Sequence, residues 1–214
     1  MLDFGPSVPD SDQPPRAAQR FALLLRPVKV ITACGEYLAI LRDVSATGLR
    51  LRLFHPLPAG PRMTIELANG DCYEASKVWE RDGQAGFQFT HEAEIRNLLE
   101  EQNRYRKRQV RIRIELPARL TAAGETYDAV LHDLSQQGGR IGTEAHLAID
   151  QRVRLEARGL PRLDAKVRWR RGAEAGLIFE QTFRLDELAR VIAGLQPVAP
   201  PADDDDLFGK VRLA

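Results

Sequence analysis

Cysteine is almost absent from the sequence, with only Cys34 and Cys72 among 214 residues. Two cysteines cannot form a disulfide framework, and these two lack the CxxC spacing of a metal site, so we expect two reduced thiols. No apolar run approaches the roughly 18 residues that a membrane-spanning helix requires. The first 15 residues also lack the charged and apolar regions of a signal peptide. These absences predict a cytoplasmic protein without a membrane span.

Motifs of known catalytic chemistry are also missing. The sequence contains no HExxH, no GxSxG and no Walker loop, which would indicate a metalloprotease, a serine hydrolase and a nucleotide hydrolase respectively. The histidines show no metal-ligand spacing. His132 precedes Asp133, but it aligns with Arg42 in the repeat described below, which indicates a strand-surface residue. The sequence therefore predicts a binding protein with no enzymatic activity, no metal and no cofactor.

Charge of one sign is not in excess either. The 31 Lys and Arg residues face 30 Asp and Glu residues, so the formal net charge is +1, and aromatic residues make up 7% of the chain. Domains that bind nucleic acids tend to be basic and to stack bases on aromatic side chains. A surface that binds an anion must therefore be a local patch of this chain.

The sequence does contain an internal repeat with an offset of 90 residues. Pro27–Gly48 aligns with Pro117–Gly138 without a gap and with eight identities, and Trp79–Phe89 aligns with Trp169–Phe179 at the same offset. Two matches in one register are far less expected by chance than either match alone. The chain is therefore predicted to be two copies of one domain in tandem.

Each copy contains six short runs in which apolar and polar residues alternate between turn-forming clusters, a pattern that is typical of β-strands. These runs are Val28–Thr32, Tyr37–Leu41, Leu49–Leu53, Arg62–Leu67, Cys72–Trp79 and Gly86–Phe89, then Ala118–Thr121, Tyr127–Leu131, Arg140–Gly142, Arg152–Ala157, Leu163–Trp169 and Gly176–Phe179. A helix with one apolar face is predicted after each set, at Glu92–Asn103 and Leu185–Leu195. The predicted fold is mainly β, with two small β-barrels in tandem that are each closed by a C-terminal helix.

Composition gives the domain limits. Residues 1–15 are rich in proline, and residues 197–214 begin with prolines and continue into Asp203–Asp206. Both segments are predicted to be disordered. For Leu207–Ala214, at the end of the second segment, a docking peptide is the alternative, and we expect an inert tail. The first domain is predicted at 16–103, and the second is predicted at 104–196, including its arginine-rich leading segment.

A DxSxxG motif occurs at the same place in both copies. Its residues are Asp43, Ser45 and Gly48 in the first copy and Asp133, Ser135 and Gly138 in the second. Aspartate and serine oxygens cap turns, and glycine permits a positive φ where the chain enters the next strand. The same side chains also offer hydrogen-bond acceptors and a donor to the edge of a base.

Arginines precede each motif. Arg16 and Arg20 lie ahead of the first copy, and six of the ten residues in Arg104–Arg113 are cationic. Arg20 lies 23 residues before the aspartate of its motif, and Arg111 lies 22 residues before the equivalent aspartate. A solvated basic helix end would explain one such cluster. Two clusters at nearly constant distance favour binding, because the guanidinium fork pairs with guanine and with phosphate.

With these two elements the chain resembles the PilZ family, small bacterial β-barrel domains that are receptors for cyclic di-GMP. The family pattern is an RxxxR segment ahead of the first strand, followed by DxSxxG. The resemblance covers residues 14–196, and Arg16 and Arg20 have the RxxxR spacing.

The second copy departs from this pattern. Arg111 corresponds to the second arginine, and the first falls on Lys107. Lysine is a point charge without the guanidinium plane, so the exchange is not conservative for stacking or forked pairing. Arg106 or Arg108, on either side, would supply the missing fork.

The resemblance implies a cyclic di-GMP receptor in which arginines grip guanine edges and phosphates, while the DxSxxG aspartate and serine contact the Watson–Crick side of a guanine. The implied binding residues are Arg106, Lys107, Arg108, Arg111, Asp133, Ser135 and Gly138 in the second domain, and Arg16, Arg20, Asp43, Ser45 and Gly48 in the first. The second arginine cluster lies in the connector, so binding is expected to change the arrangement of the two barrels. The signal would then pass to a protein partner with a motility, exopolysaccharide or pilus-type output.

Two other classes stay open. One is a PilZ-like adaptor that binds proteins but no nucleotide. The other is a small β-barrel that binds RNA or single-stranded DNA through Arg104–Arg113, with Tyr105 as a stacking residue.

Overall fold

The computed structural model describes residues 21–58, 60, 62–93 and 109–196 of the chain. These residues form two closed six-stranded barrels in tandem, and the second barrel is followed by a helix. The mainly β fold with two barrels is therefore confirmed. In the part of the chain that the structure describes, no helix is long and apolar enough to cross a membrane.

The first barrel is antiparallel throughout, and its strands close in the order β1-β2-β3-β6-β5-β4. Its strands are β1 (Phe21–Thr32), β2 (Gly35–Ser45), β3 (Gly48–Leu53), β4 (Arg62–Glu66), β5 (Cys72–Arg81) and β6 (Gln84–Phe89). Apolar residues alternate along these strands and point inward: Leu49, Leu51 and Leu53 are buried, whereas Arg52 between them is exposed. This period of two is what the sequence pattern predicts for a half-buried strand.

The second barrel repeats this topology, with strand order β10-β11-β12-β9-β8-β7. Its strands are β7 (Ile112–Ala122), β8 (Glu125–Leu134), β9 (Gly138–Thr143), β10 (Arg152–Ala157), β11 (Leu163–Arg171) and β12 (Glu174–Phe179). All twelve predicted strands are present, and most extend further than the sequence runs indicated. Backbone pairing with both neighbours in a closed barrel carries strands past the point where apolar alternation ends.

One of the two predicted helices is confirmed. Helix α1 spans Leu185–Leu195, and Leu188 and Ile192 are fully buried against the second barrel. Asp186 and Glu187 lie in its first turn, where negative charge interacts favourably with the helix dipole. The helix predicted at Glu92–Asn103 is not helical at residues 92 and 93, and its remaining residues lie outside the described part.

The two barrels contact each other through β2, β7 and α1. The Leu38 side chain projects from β2 away from its own barrel and is buried in the apolar core of the second, while Ala193 of α1 packs on the core of the first. Two hydrogen bonds join the barrels at Glu36. Its carbonyl oxygen accepts from the Gln196 side chain at 3.0 Å, and its carboxylate accepts from the Arg113 N–H at 2.8 Å.

Glu36→Ala is expected to destabilise the protein by about 1–3 kcal/mol. The Arg113 N–H loses its acceptor, and the buried Lys29 ammonium loses one of its two carboxylate partners. Chemical denaturation measures the change, with Glu74→Ala as control because Glu74 is exposed on β5. Equal stability of the two variants would contradict the role given to Glu36.

Candidate ligand-binding cleft between the barrels

Each DxSxxG motif lies at a tight turn between two strands of its barrel, β2–β3 and β8–β9. The serine hydroxyl donates to the glycine carbonyl oxygen across this turn, at 3.2 Å from Ser45 to Gly48 and at 2.9 Å from Ser135 to Gly138. Both serines are buried. The turn-capping role that the sequence indicated for serine is therefore observed in both copies, while its role toward a ligand stays a prediction.

The glycine of the motif is required for a different reason from the expected one. Neither Gly48 nor Gly138 has a positive φ, so the expectation of a left-handed conformation is wrong. A Cβ at Gly138 would lie 2.1 Å from the Leu177 carbonyl oxygen, and one at Gly48 would lie 2.2 Å from the Phe87 carbonyl oxygen. The glycines permit close approach of the adjacent strand, which no other residue allows.

Asp133 lies between two arginines. Arg111 donates from Nη1 to Asp133 Oδ1 at 2.6 Å, and Arg140 donates from Nε to Oδ2 at 3.0 Å. Arg140 also donates from Nη1 to Glu174 at 2.5 Å. The hydrogen bond to Asp133 and the nearby Glu174 charge raise the pKa of Arg140 above its ordinary value, although partial burial opposes the shift. Arg140 therefore keeps its positive charge over the whole physiological pH range.

The first barrel contains a similar cluster with fewer charged residues. Arg50 donates from Nε to Asp43 at 2.5 Å, as Arg140 does to Asp133. Gln84 occupies the position of Glu174 in the repeat, so this site has no carboxylate there. The residues Asp43, Ser45 and Gly48 are close together as predicted, but none of them lines the cleft described below.

A β-bulge explains why the distance from the arginine to the aspartate of DxSxxG differs by one residue between the two copies. In the first barrel, Ala22 pairs with Asp43 and Arg26 pairs with Leu41. Three residues of β1 thus lie between these two pairs. In the second barrel, Arg113 pairs with Asp133 and Leu116 pairs with Leu131, so only two residues of β7 lie between the equivalent pairs. Strand β1 therefore has one extra residue, and Leu25 within this bulge has a φ of 43°. The pairing register makes Arg20 the sequence counterpart of Arg111.

A cleft of about 690 Å³ lies between the two barrels, within the size range of small-molecule sites. The first barrel contributes β1 and the β4–β5 turn. The second contributes its leading segment, the DxSxxG turn and the outer face of β11 and β12. The lining residues are Lys29, Glu66, Leu67, Ala68, Asn69 and Gly70, and then Gln109, Val110, Arg111, Arg113, Asp133, Ser135, Gln137, Gly138, Arg140, Arg168, Trp169, Gly176, Leu177 and Ile178.

The cleft is positively charged. Five cationic side chains line it, namely Lys29, Arg111, Arg113, Arg140 and Arg168, against the carboxylates of Glu66 and Asp133. Two more carboxylates outside the lining, Glu36 and Glu174, pair with Lys29 and Arg140, which leaves a small excess of cations. The chain is almost neutral overall, so a site for an anion requires a local excess of cations. The cleft has such an excess. Such a surface attracts anionic ligands and raises their association rate.

An aromatic side chain forms one wall of the cleft. The Trp169 indole packs over Gly176, where a Cβ would lie 2.0 Å from Nε1, and 39% of the residue remains exposed. A flat apolar surface beside arginines suits a planar base. The sequence alignment paired Trp169 with Trp79 and Gly176 with Gly86, but did not identify them as site residues. The shared Trp and Gly positions were the signal that would have found them.

Arg140, Arg168 and Lys29 were also missed as site residues. Arg140 follows the aspartate of DxSxxG by seven residues, and Arg50 follows its own aspartate by the same distance, so the repeat contained this signal. Lys29 belongs to the other barrel, and no local pattern relates it to the second domain.

The predicted site residues therefore fall into three groups. The structure brings Arg111, Asp133, Ser135 and Gly138 together in the cleft. It places the DxSxxG residues of the first copy together on the first barrel. The remaining predicted residues, Arg16, Arg20, Arg106, Lys107 and Arg108, lie outside the described part of the chain.

Comparison with known proteins identifies the domain type. The PilZ domain profile matches twice, at residues 14–104 and 102–195, whereas comparison with curated proteins finds no match. Among solved structures, the chain is similar to the Borreliella burgdorferi PlzA protein in complex with c-di-GMP, with 12% identity, coverage of 82% of this chain and 92% of that one, and a TM-score of 0.32. It is also similar to the Bacillus subtilis Inhibitor of motility (MotI/DgrA), with 14% identity, coverage of 79% and 96%, and a TM-score of 0.35.

A third similar structure is Escherichia coli YcgR in complex with c-di-GMP, with 16% identity, coverage of 79% of this chain and 83% of that one, and a TM-score of 0.29. Since the two profile matches together span most of the chain, the chain belongs to the PilZ domain family and contains two PilZ domains in tandem.

Proposed function

We propose that the protein is a cytoplasmic cyclic di-GMP receptor that binds its ligand in the cleft between the barrels, mainly through the second domain. The observation that carries this proposal is the cluster of Arg111, Asp133 and Arg140 in a cleft with an excess of cations. Membership of the PilZ family and the c-di-GMP complexes of PlzA and YcgR support the choice of ligand.

The chemistry of the cleft fits the ligand in charge and shape. Cyclic di-GMP has two phosphates and two guanines. Arg113 and Arg168 line the cleft with exposed side chains and are suited to the phosphates, with which guanidinium groups form charge-assisted hydrogen bonds. Arg111 is half exposed, so its free donors are available for the O6 and N7 atoms of a guanine. Trp169 offers a stacking surface.

Ligand binding at Arg111 competes with Asp133 for the same guanidinium. Because Arg140 holds the other oxygen of Asp133, the carboxylate keeps a cationic partner when Arg111 turns to the ligand. The exchange then leaves no buried charge unpaired, which is the costly outcome in such networks. Asp133 thus orients the Arg111 side chain toward the cleft.

The first domain is the weaker candidate. Its equivalents of Arg113 and Arg168 are Ala22 and Val78, so two cationic side chains of the second site are replaced by apolar ones. Arg16, Arg20, Asp43, Ser45 and Gly48 remain the predicted binding residues of this domain. We expect one tight site per chain, and any second site to be weaker.

The relay of the signal is proposed to start at Arg113. This residue lines the cleft and also donates its backbone N–H to Glu36 of the first barrel. A ligand that pulls on this segment changes the contact between the barrels. The new arrangement then exposes or hides a surface for a protein partner, in a pathway of the motility, exopolysaccharide or pilus type.

A titration separates this function from the alternatives. Calorimetry with cyclic di-GMP and with a short RNA, each at two salt concentrations, is expected to show tight stoichiometric binding of the dinucleotide only. Steeply salt-dependent RNA binding would instead indicate a nucleic-acid module. Binding of neither would indicate a protein-interaction adaptor.

Solution scattering tests the relay. The scattering profile of the ligand-saturated protein is expected to differ from that of the free protein, because the angle between the barrels changes. Identical profiles at saturation would contradict the rearrangement while leaving the binding intact. Glu36→Ala serves as a comparison, since loss of the contact to Arg113 should shift the free protein toward the profile of the bound form.

A further inference from the structure

The end of α1 is connected to the cleft through Glu36 of the first barrel. Gln196, the last described residue, follows α1 with extended backbone angles and donates from its side chain to the carbonyl oxygen of Glu36. The Glu36 carboxylate in turn lies 3.4 Å from Lys29 Nζ and accepts the Arg113 N–H. Both Lys29 and Arg113 line the cleft. Gln196 is therefore connected to two cleft side chains through a single residue, Glu36.

The sequence that follows contains the densest negative charge of the protein. Asp203–Asp206 are four consecutive aspartates. Seven residue steps separate Gln196 from Asp203, a length that spans at most about 25 Å. The contacts that connect Gln196 to Arg113 and Lys29 through Glu36 are only 3.0, 2.8 and 3.4 Å long, so the aspartates can reach the cleft.

The cleft also contains a cation that is not paired with a carboxylate. Elsewhere on this domain, several exposed arginines are already paired with carboxylates: Arg152 with Glu180, Arg154 with Asp164, Arg162 with Glu156 and Arg190 with Asp186. The Arg168 guanidinium in the cleft has no partner among the residues that the structure describes, which also holds for Arg119 and Arg158 outside the cleft. An acidic peptide is attracted most strongly to cations that are not already neutralised.

We propose that Asp203–Asp206 bind in the cationic cleft of the same chain and compete with the anionic ligand. The aspartate carboxylates pair with Arg168 and Arg113, the positions that the proposed function gives to the ligand phosphates. The docking of the aspartates needs only the geometry above, whereas the competition rests on the proposed function.

The consequence of docking is that more ligand is needed to occupy the cleft. A tethered competitor lowers the apparent affinity of the ligand in proportion to the fraction of time that it occupies the site. The interaction between the aspartates and the cations of the cleft weakens as salt screens the exposed charges.

The test of docking uses the full chain without ligand. In the variant Asp203→Asn, Asp204→Asn, Asp205→Asn, Asp206→Asn, the indole N–H resonance of Trp169 in the cleft is expected to shift from its wild-type position. The protein has two tryptophans, and Trp79, which does not line the cleft, is an internal control whose resonance should stay in place. Unchanged spectra at both tryptophans would overturn the proposal, as would equal shifts at both.

Two further variants check the source of the effect. Asp3→Asn, Asp10→Asn, Asp12→Asn neutralises three acidic residues near the other end of the sequence and should leave the Trp169 resonance unchanged. In an Arg168→Ala background, the difference between wild-type and asparagine tails should shrink. A difference of undiminished size would show that the tail binds elsewhere and would contradict the assignment.

The competition is measured by calorimetry with cyclic di-GMP. The asparagine-tail variant is expected to bind roughly threefold to tenfold more tightly than the wild type at low salt, and the gap should close at high salt. Equal affinities at low salt would overturn the competition. If neither protein binds the dinucleotide, the proposed function fails, and the indole comparison still decides whether the aspartates dock.

Discussion

Replacement of Arg111 by alanine is expected to weaken cyclic di-GMP binding by at least about 100-fold. Hydrogen bonds to charged groups contribute roughly 1.5–3 kcal/mol each, so loss of a forked pair removes about 3 kcal/mol or more. The fold should persist, because Asp133 keeps Arg140 as a partner and Arg111 is half exposed. Calorimetric titration of the purified variant gives the affinity directly.

Two matched variants sharpen this measurement. Arg119→Ala removes an exposed arginine from β7, the strand that directly follows Arg111; Arg119 does not line the cleft, and this variant should bind like the wild type. Arg111→Lys keeps the charge but loses the planar fork, so its affinity should lie between those of the wild type and Arg111→Ala. An Arg111→Ala variant that binds like Arg119→Ala would refute the proposed site.

Gly138→Ala is expected to destabilise the second barrel by about 3 kcal/mol or more. The added Cβ would lie 2.1 Å from the Leu177 carbonyl oxygen and 3.2 Å from its carbon. These are backbone atoms, so no flexible side chain can move aside, and strands β9 and β12 must separate. Ligand binding should fall with stability, because the DxSxxG turn lies at this position.

Denaturation followed by tryptophan fluorescence measures this effect barrel by barrel, since each barrel contains one tryptophan. Gly48→Ala is the matched change in the first barrel, with a contact of 2.2 Å to the Phe87 carbonyl oxygen. Gly194→Ala is the control: its Cβ meets nothing within 4 Å, and alanine in a helix is favoured by up to about 1 kcal/mol. If Gly138→Ala unfolds at the same denaturant concentration as the wild type, close strand approach is not the reason for this glycine.

Much of the fold was predictable because it depends on local and repeated patterns in the sequence. The 90-residue repeat and the alternation of apolar residues identified two barrels of six strands, and the apolar stripe of Leu185–Leu195 identified α1. The one-residue difference in arginine spacing was also visible in the sequence. Its cause was not, since a bulge at Leu25 depends on how β1 pairs with β2.

The candidate site was predictable only in part. Arg111 and Asp133 were identified from their spacing, and the structure joins them at 2.6 Å. Arg140 completes the cluster from the neighbouring strand, at a distance that pairing register alone determines. The role of Gly138 was misassigned, because its need for space arises from β12, whose residues lie far away in sequence.

The sequence by itself determined that the protein has two PilZ domains with divergent arginine segments, since these properties depend on residue type and spacing. The tertiary structure decided that the second domain shares its site with the first. Lys29 and the β4–β5 turn reach the cleft only because Leu38 and Glu36 fasten β2 to the other barrel. Such contacts between distant segments depend on the packing of complete barrels and have no counterpart in local sequence.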